Sequence, residues 1–219
     1  MIDTDAKPVL SVKQISKAFS GKTVVKEVEF ELYPGEILAL VGENGAGKST
    51  TKNMLCGLLA PSEGQIFVEG HQVDKIQGNA QGISAVHQEL SLFPSLTVAE
   101  NLCINELPGK ALKVDWRETA KLAQEQLAFL GVDIDIHANV ESLGAGKQQI
   151  VEIAKASMHA NKVLILDEPT TSLTAPEREK LFSIMRTLKA RGVAMIFISH
   201  FMDEVYAMAD KFVALRDGT

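Results

Sequence analysis

The sequence has little of what marks a secreted, membrane-spanning or nucleic-acid-binding protein. It has two cysteines, Cys56 and Cys103, and neither lies in a CxxC or Cys/His cluster, which argues against a disulfide framework or a zinc site. No apolar run approaches the roughly 20 residues that cross a bilayer, and the first residues lack the pattern of a signal peptide. The net charge of −6 gives no electrostatic case for nucleic-acid binding. We therefore expect an intracellular, soluble chain that reaches a membrane only through a partner.

The hydrophobic pattern predicts alternating strands and helices. Val28, Phe30 and Leu32 alternate with glutamates, which is the period-2 pattern of a half-buried strand. A helix should begin near Lys48, and further strands are predicted at 36–41, 65–69, 83–87, 162–166, 193–198 and 212–215. Because helices separate these strands, we expect an α/β fold with a mainly parallel sheet and helices on both faces. A chain of 219 residues suits one large domain or a domain with an embedded subdomain.

Capping residues predict two longer helices. Asp115, with Glu118 three residues later, marks the start of one helix, and Gly131 marks its end. Its predicted buried face consists of Trp116, Ala120, Ala123, Leu127 and Leu130. The other helix begins near Pro176 and closes at Gly192, and its predicted buried face consists of Leu181, Ile184, Met185 and Leu188. We expect the stretch 89–160 to be an inserted, mostly helical subdomain.

A phosphate-binding motif follows the strand at 36–41. Residues 42–49 match G-x-x-x-x-G-K-[ST] in full. Glycines let backbone N–H groups wrap closely around phosphate oxygens, and the positive end of the next helix points at the same anion. Lys48 would reach the β- and γ-phosphates, and the Ser49 hydroxyl would ligate Mg²⁺. The residues predicted to bind nucleotide here are Gly42, Glu43, Asn44, Gly45, Ala46, Gly47, Lys48, Ser49 and Thr50.

Two carboxylates follow the short apolar run 163–166. Because ligands bind at the carboxyl edge of open α/β sheets, Asp167 and Glu168 are expected beside the phosphates. Asp167 would hold Mg²⁺ directly or through water, and Glu168 is placed to orient and deprotonate an attacking water. Two acids at a strand end could by themselves be merely solvated or paired, and it is the complete phosphate motif that favours the catalytic interpretation.

A phosphate-binding loop leaves helicases, kinases, GTPases and transporters open, and residues 142–149 decide among them. Their sequence, SLGAGKQQ, resembles the signature of ABC proteins, and the other motifs fall in that family's order. Phe19 resembles the aromatic residue that stacks on adenine. Gln88 resembles the Q-loop glutamine that touches Mg²⁺ and the water, and His200 resembles the switch histidine that contacts the γ-phosphate. Taken alone, Phe19 would be a core residue and the other two would be structural polar groups.

The resemblance implies a fold and a way of working. The fold is a RecA-like P-loop core with an antiparallel β subdomain, spanning about 1–88 and 161–219, with the helical subdomain at 89–160. Two such domains close on two ATP molecules with Mg²⁺, and hydrolysis lets them part. This movement acts on membrane helices that dock near Gln88, where residues 92–96 line the groove unless they are ordinary core. The signature that contacts the partner's ATP consists of Leu143, Gly144, Ala145, Gly146 and Lys147.

Further stretches narrow the resemblance to one branch of the family. Residues 83–90, 96–101, 148–155 and 215–218 are similar to those of importers of ribose, galactose, xylose and related solutes. Those proteins carry two ATPase domains in tandem, so we expect this chain to be the N-terminal domain of a longer protein. The implied partners are a second ATPase domain, a membrane permease and, indirectly, a solute-binding protein. The implied location is the cytoplasmic face of the cell membrane, and no nucleic acid is expected.

Some positions depart from the family pattern. Gly144 stands where the signature has a serine that bonds the γ-phosphate of the opposite ATP. Lys147 replaces the usual glutamine, and Thr174 stands where many members have an aspartate. A charge-assisted hydrogen bond is worth about 1.5–3 kcal/mol. The missing serine therefore predicts asymmetry, with an intact site for this domain's own ATP and weak support for its partner's.

Two alternatives stay open. A non-transport ABC protein that acts on chromosomes or ribosomes would carry coiled-coil arms or basic surfaces. Here Ser49 and Leu143 are 94 residues apart, with no sustained heptad between them. A regulatory module that binds ATP without cleaving it would lack the glutamate that stands here at Glu168. The solute of an importer is chosen by its permease and binding protein, so this chain does not reveal it.

Overall fold

The computed structural model describes residues 7–110, 113–160 and 162–219. Its strands in chain order are β1 (Leu10–Phe19), β2 (Lys22–Leu32), β3 (Ile37–Gly42), β4 (Glu63–Val68), β5 (His71–Val73), β6 (Ile83–Val86), β7 (Gly109–Lys110), β8 (Lys113–Val114), β9 (Val163–Asp167), β10 (Ala194–Ile198) and β11 (Lys211–Leu215). Its helices are α1 (Lys48–Leu55), α2 (Val98–Cys103), α3 (Trp116–Phe129), α4 (Ala145–His159), α5 (Ala175–Ala190) and α6 (Met202–Met208). Within these residues, no helix has the length and apolar character that a bilayer crossing requires.

A parallel sheet forms the centre of the molecule, with the strand order β11-β3-β10-β9-β6. Every pairing between neighbours in this sheet is parallel. All five residues of β10 are buried, as are the first four of β9. Strands covered on both faces need apolar residues at consecutive positions. This explains why the sequence located β9 and β10 to within one residue at each end.

An antiparallel sheet with the order β2-β1-β4-β5 lies against one face of the parallel sheet. Leu10 and Val12 of β1 pack in one apolar cluster with Leu38 and Leu40 of β3 and with Met54 of α1. The residues of β2 that were predicted to face inward are buried, namely Val28, Phe30 and Leu32. The α/β fold class with an added antiparallel sheet is therefore confirmed.

A second apolar cluster covers the opposite face of the parallel sheet. Leu164 and Leu166 of β9 and Phe197 of β10 belong to it, together with residues of α3, α4 and α5. The predicted buried face of α5 is confirmed, and it consists of Leu181, Ile184, Met185 and Leu188. Gly192 follows this helix with a φ of +86°, a left-handed conformation that commonly ends helices.

Helices α2, α3 and α4 all lie in the stretch 89–160, and the division into a separate subdomain stays a prediction. Asp115 caps α3 as expected, since its side chain accepts from the N–H groups of Arg117 and Glu118. The prediction that Trp116 belongs to the buried face was wrong, because its side chain is 57% exposed. Trp116 is the first residue of α3, and the buried stripe begins one turn later at Thr119.

Candidate nucleotide-binding site

The phosphate-binding motif forms the turn between β3, which ends at Gly42, and α1, which begins at Lys48. Gly45 and Gly47 have φ angles of +85° and +99°, which glycine adopts without a steric penalty. A Cβ at Gly42 would lie 2.5 Å from the carbonyl oxygen of Leu215. The loop therefore needs glycine at these positions, and its backbone stays free of side chains where it faces an anion.

The Lys48 side chain lies over this loop. Its Nζ donates to the carbonyl oxygens of Gly42 at 2.6 Å and Glu43 at 3.0 Å, and the residue is only 8% exposed. The ammonium is thus held at a fixed place beside the backbone N–H groups of the loop. A positive charge in such a concave backbone turn favours the binding of a phosphate.

A cavity of about 440 Å³ joins the loop to the acidic end of β9. Lys48 and Ser49 line it together with Gln88, Asp167 and Glu168. Asn44, Gly45, Gly47 and Thr50 also contribute to the lining. A neighbouring opening of about 580 Å³ is bounded by residues 42–46 and 215–217. The structure thus brings residues of the phosphate-binding motif together with Gln88 and Glu168, two of the predicted catalytic residues.

The two acidic residues differ in their surroundings. Oδ2 of Asp167 is 2.8 Å from Nζ of Lys52, and the two side chains are 14% and 13% exposed. Glu168 has a φ of +47°, a left-handed conformation that costs a residue with a Cβ about 1 kcal/mol. Its N–H donates to the carbonyl oxygen of Ile198 at 3.0 Å, so β10 helps to hold the turn. The strained turn directs the Glu168 side chain into the cavity.

His200 follows β10 and lies beside Glu168. Its Nδ1 is 3.4 Å from Oε1 of Glu168, and its ring packs against Phe201 with the centroids 4.0 Å apart. The imidazole is partly exposed. The two side chains therefore lie next to each other, although His200 is not among the described residues that line the cavity. Their catalytic roles stay a prediction.

A buried carboxylate that sequence reasoning missed connects the loops that carry these two groups. Glu204 is 4% exposed and accepts from Thr170 Oγ1 at 2.7 Å, Ser199 Oγ at 3.0 Å and Arg178 at 3.4 Å. Thr170 follows the acidic pair, and Ser199 precedes His200. In the sequence Glu204 resembles an ordinary acid in the first turn of α6, and only the fold reveals its burial.

Lys52 is the other site residue that the sequence did not single out. It lies one helical turn after Lys48 on α1, and its contact with Asp167 joins this helix to β9. The available signal was a second lysine four residues after the motif lysine, a spacing that places both on one face of a helix.

The signature residues lie away from this cavity. None of positions 143–147 is among the described residues that line it. Gly144 caps α4 and is exposed, as is Lys147. Gly146 is buried against α5, where a Cβ would lie 1.9 Å from Oε1 of Glu177. The arrangement is compatible with a signature that serves a second ATP, a role that stays a prediction for a single chain.

Phe19 lies at the exposed end of β1. Its side chain is 44% exposed, and Nζ of Lys17 is 5.6 Å from the ring centroid. The alternative that Phe19 is a core residue is therefore wrong. The ring does not line either opening described above, so its contact with adenine stays a prediction.

A loop with the phosphate-binding motif that shares a cavity with two carboxylates at the carboxyl edge of a parallel sheet defines a nucleotide-binding protein of the P-loop class. The family model described as ABC transporter matches residues 25–171. The chain belongs to the ABC transporter family.

Curated relatives carry the names of sugar importers. The chain is 44% identical over 217 residues to the ribose import ATP-binding protein RbsA of Corynebacterium glutamicum, a match that covers 98% of this chain and 41% of that protein. It is also 44% identical to ribose import ATP-binding protein RbsA 2 of Rubrobacter xylanophilus, over 96% of this chain and 42% of that protein. The chain thus spans less than half the length of the curated relatives it matches.

Solved structures of ABC cassettes share the fold. A nucleotide-free ATP-binding cassette from an ABC transporter superposes with a TM-score of 0.85 at 24% identity, covering 97% of this chain and 89% of that one. An ATP-binding cassette of an ABC transporter in its ADP conformation gives the same TM-score and the same coverage at 25% identity.

Proposed function

We propose that this chain is the ATP-binding and ATP-hydrolysing domain that energises an ABC importer for a sugar or a related small solute. The observation that carries the proposal is the cavity shared by Lys48, Ser49, Asp167 and Glu168. It unites a phosphate-binding loop with a carboxylate that can act on water. The relatives named for ribose import support the importer over an ABC protein of chromosomes or ribosomes.

The residues present fit Mg²⁺ as the metal that accompanies ATP. Ser49, Gln88 and Asp167 offer hydroxyl, amide and carboxylate oxygens in one cavity, and Mg²⁺ prefers oxygen ligands. Among the described residues no group of three or more His, Cys, Asp or Glu side chains could hold a metal by itself. This suits a site in which Mg²⁺ takes its remaining ligands from phosphate and water. When bound there, the metal would neutralise charge that develops on the phosphates.

Glu168 and His200 would act on the attacking water and on the γ-phosphate, respectively. Glu168 would accept the proton of the attacking water, and its left-handed turn keeps the carboxylate at the cavity. His200, 3.4 Å away, would donate to the γ-phosphate. Lys48 would hold the phosphates against the loop, and the exposed Phe19 would pack on the adenine.

The surface formed by residues 92–96 is proposed to receive the permease. Phe93 is 51% exposed, whereas Leu92 packs against the core. The buried Asn101 holds the backbone of this surface, since its Oδ1 accepts from the N–H of Phe93 at 2.7 Å and its Nδ2 donates to the carbonyl oxygen of Phe93 at 3.0 Å. A surface with a fixed backbone and an exposed aromatic suits a docking site.

The proposed assembly pairs this domain with a second ATPase domain in a longer tandem chain. The short span of the match within its relatives, 41% of the first, supports the tandem arrangement. In that assembly residues 89–160 form the subdomain that carries the signature. The permease and, through it, a solute-binding protein would be the other partners, and the domain would lie on the inner face of the cell membrane.

The test is Mg²⁺-dependent ATP hydrolysis by the purified chain over a wide range of protein concentration, with Glu168→Gln in parallel. We expect a specific rate that rises with concentration, because two domains complete each site. The variant should keep nucleotide binding and lose hydrolysis by a factor of at least about 10². Binding of ATP without any hydrolysis at high concentration would instead favour a regulatory module or a requirement for the second domain.

A further inference from the structure

We propose that Lys52 competes with Mg²⁺ for Asp167 and thereby limits how strongly the metal tightens nucleotide binding. The inference rests on the proposed function, because it concerns the metal site of that function. It adds the ammonium group of Lys52 to a site that otherwise consists of the phosphate-binding loop and the acidic pair.

The geometry of the pair carries the proposal. Nζ of Lys52 is 2.8 Å from Oδ2 of Asp167, and the side chains are 13% and 14% exposed. Lys52 lies in the second turn of α1, and Asp167 is the last residue of β9. One oxygen of the carboxylate proposed to serve the metal therefore already has a cationic partner.

Two cations at one carboxylate repel each other. In a site this far removed from solvent, salt and water screen that repulsion less than they would at the surface. A metal ion that approaches Asp167 must share the carboxylate with the ammonium or displace it. Removing the positive charge of Lys52 should therefore strengthen the coupling between Mg²⁺ and nucleotide.

A purely structural role makes a different prediction. If Lys52 only fastens α1 to β9, its loss lowers the thermal midpoint of the chain and leaves the metal coupling unchanged. The dissociation constant of a nucleotide in EDTA, divided by that in Mg²⁺, measures the coupling. Complex formation between metal and free nucleotide contributes equally for every variant, so it cancels when variants are compared.

The experiment titrates the chain with a fluorescent, non-hydrolysable ATP analogue (mant-AMPPNP) in EDTA and in excess Mg²⁺. For Lys52→Met we expect the ratio of dissociation constants to exceed that of the unsubstituted chain about tenfold. Lys52→Arg keeps the charge and should stay near the unsubstituted value. Lys162→Met is the matched control, because it breaks an ion pair of 2.6 Å with Glu69 at the opposite end of β9.

An unchanged ratio in Lys52→Met, with or without a lower thermal midpoint, would overturn the proposal and leave Lys52 as a tether. If Lys52→Met does not fold, Lys52→Gln is the second neutral variant and must show the same rise. If neither the unsubstituted chain nor any of its variants at position 52 binds the analogue, that result would instead contradict the proposed function. The two failures are therefore distinguishable.

Discussion

Cys56 is the C-cap residue of α1, and nearby charges of the site influence the pKa of its thiol. Burial raises the pKa of this thiol to about 12, while the charge of Lys52 lowers it and that of Asp167 raises it. Burial also raises the pKa of Cys103. Both thiols therefore stay protonated at neutral pH.

Alkylation of Cys56 should follow this pKa. Because the thiolate is the nucleophile, native Cys56 should react with iodoacetamide at pH 8 more slowly than in the denatured chain, by a factor on the order of 10³. Lys52→Met should slow the reaction further, and Asp167→Asn should accelerate it. Mass spectrometry of the Cys56 peptide gives the rates, and equal rates in native and denatured protein would contradict the assignment.

Residues with a fixed place in a motif could be predicted, whereas residues that act through packing could not. Lys48, Ser49 and the acidic pair at the end of β9 line one cavity, because the carboxyl ends of parallel strands meet at the same sheet edge. Lys52 and Glu204 belong to no motif, and their contacts span 115 and 34 positions of the chain. Such contacts follow only from the tertiary arrangement.

Elements with long apolar runs or clear caps were predicted well, whereas several short elements and the ten-residue strand β1 were not assigned a range. The strand β5 has three residues, and β7 and β8 have two each, too few to display a period. Helix α2 has six residues and a capping box of Thr97 and Glu100. That pair was visible in the sequence, but it was interpreted only as part of the resemblance.

The start of α5 gives a prediction on the scale of an element. Oε2 of Glu177 accepts from the Thr174 hydroxyl at 2.7 Å and from the Thr174 N–H at 2.9 Å. These hydrogen bonds hold the pKa of Glu177 below its ordinary value of 4.5. Because the folded-state pKa is the lower one, the ionised carboxylate stabilises the fold above about pH 4.5. That contribution is lost as the pH falls through the folded-state pKa.

The variant Glu177→Gln should therefore unfold at lower urea concentration than the unsubstituted chain at pH 7. The difference between the two should shrink as the pH falls below about 4.5. Glu179→Gln, on the exposed side of the same helix, controls for the loss of one negative charge. A gap between Glu177→Gln and the unsubstituted chain that is the same at pH 7 and pH 3 would rule out the ionised cap.

On the scale of the whole molecule, the phosphate-binding cavity and the signature are unequal in the side chains that they offer to ATP. The phosphate-binding loop and the acidic pair line one cavity, with His200 beside Glu168, whereas the signature lies apart from it at the start of α4. Gly144 supplies no side-chain hydrogen bond there. In the proposed assembly this domain would bind its own ATP fully and lend its partner an incomplete signature.

Space exists to complete that signature, since a Cβ at Gly144 would meet no atom within 4 Å. At an N-cap, serine and glycine differ by only a few tenths of a kcal/mol, so Gly144→Ser should change the stability little. Its hydroxyl could bond the γ-phosphate of the opposite ATP, an interaction worth about 1.5–3 kcal/mol. In a protein that joins this domain to a second ATPase domain, as the proposed assembly requires, we expect about tenfold faster turnover at the partner's site. Gly144→Ala adds the same Cβ without the hydroxyl and should not accelerate hydrolysis. Equal rates for the serine and alanine variants would show that the absent hydroxyl is not what limits the second site.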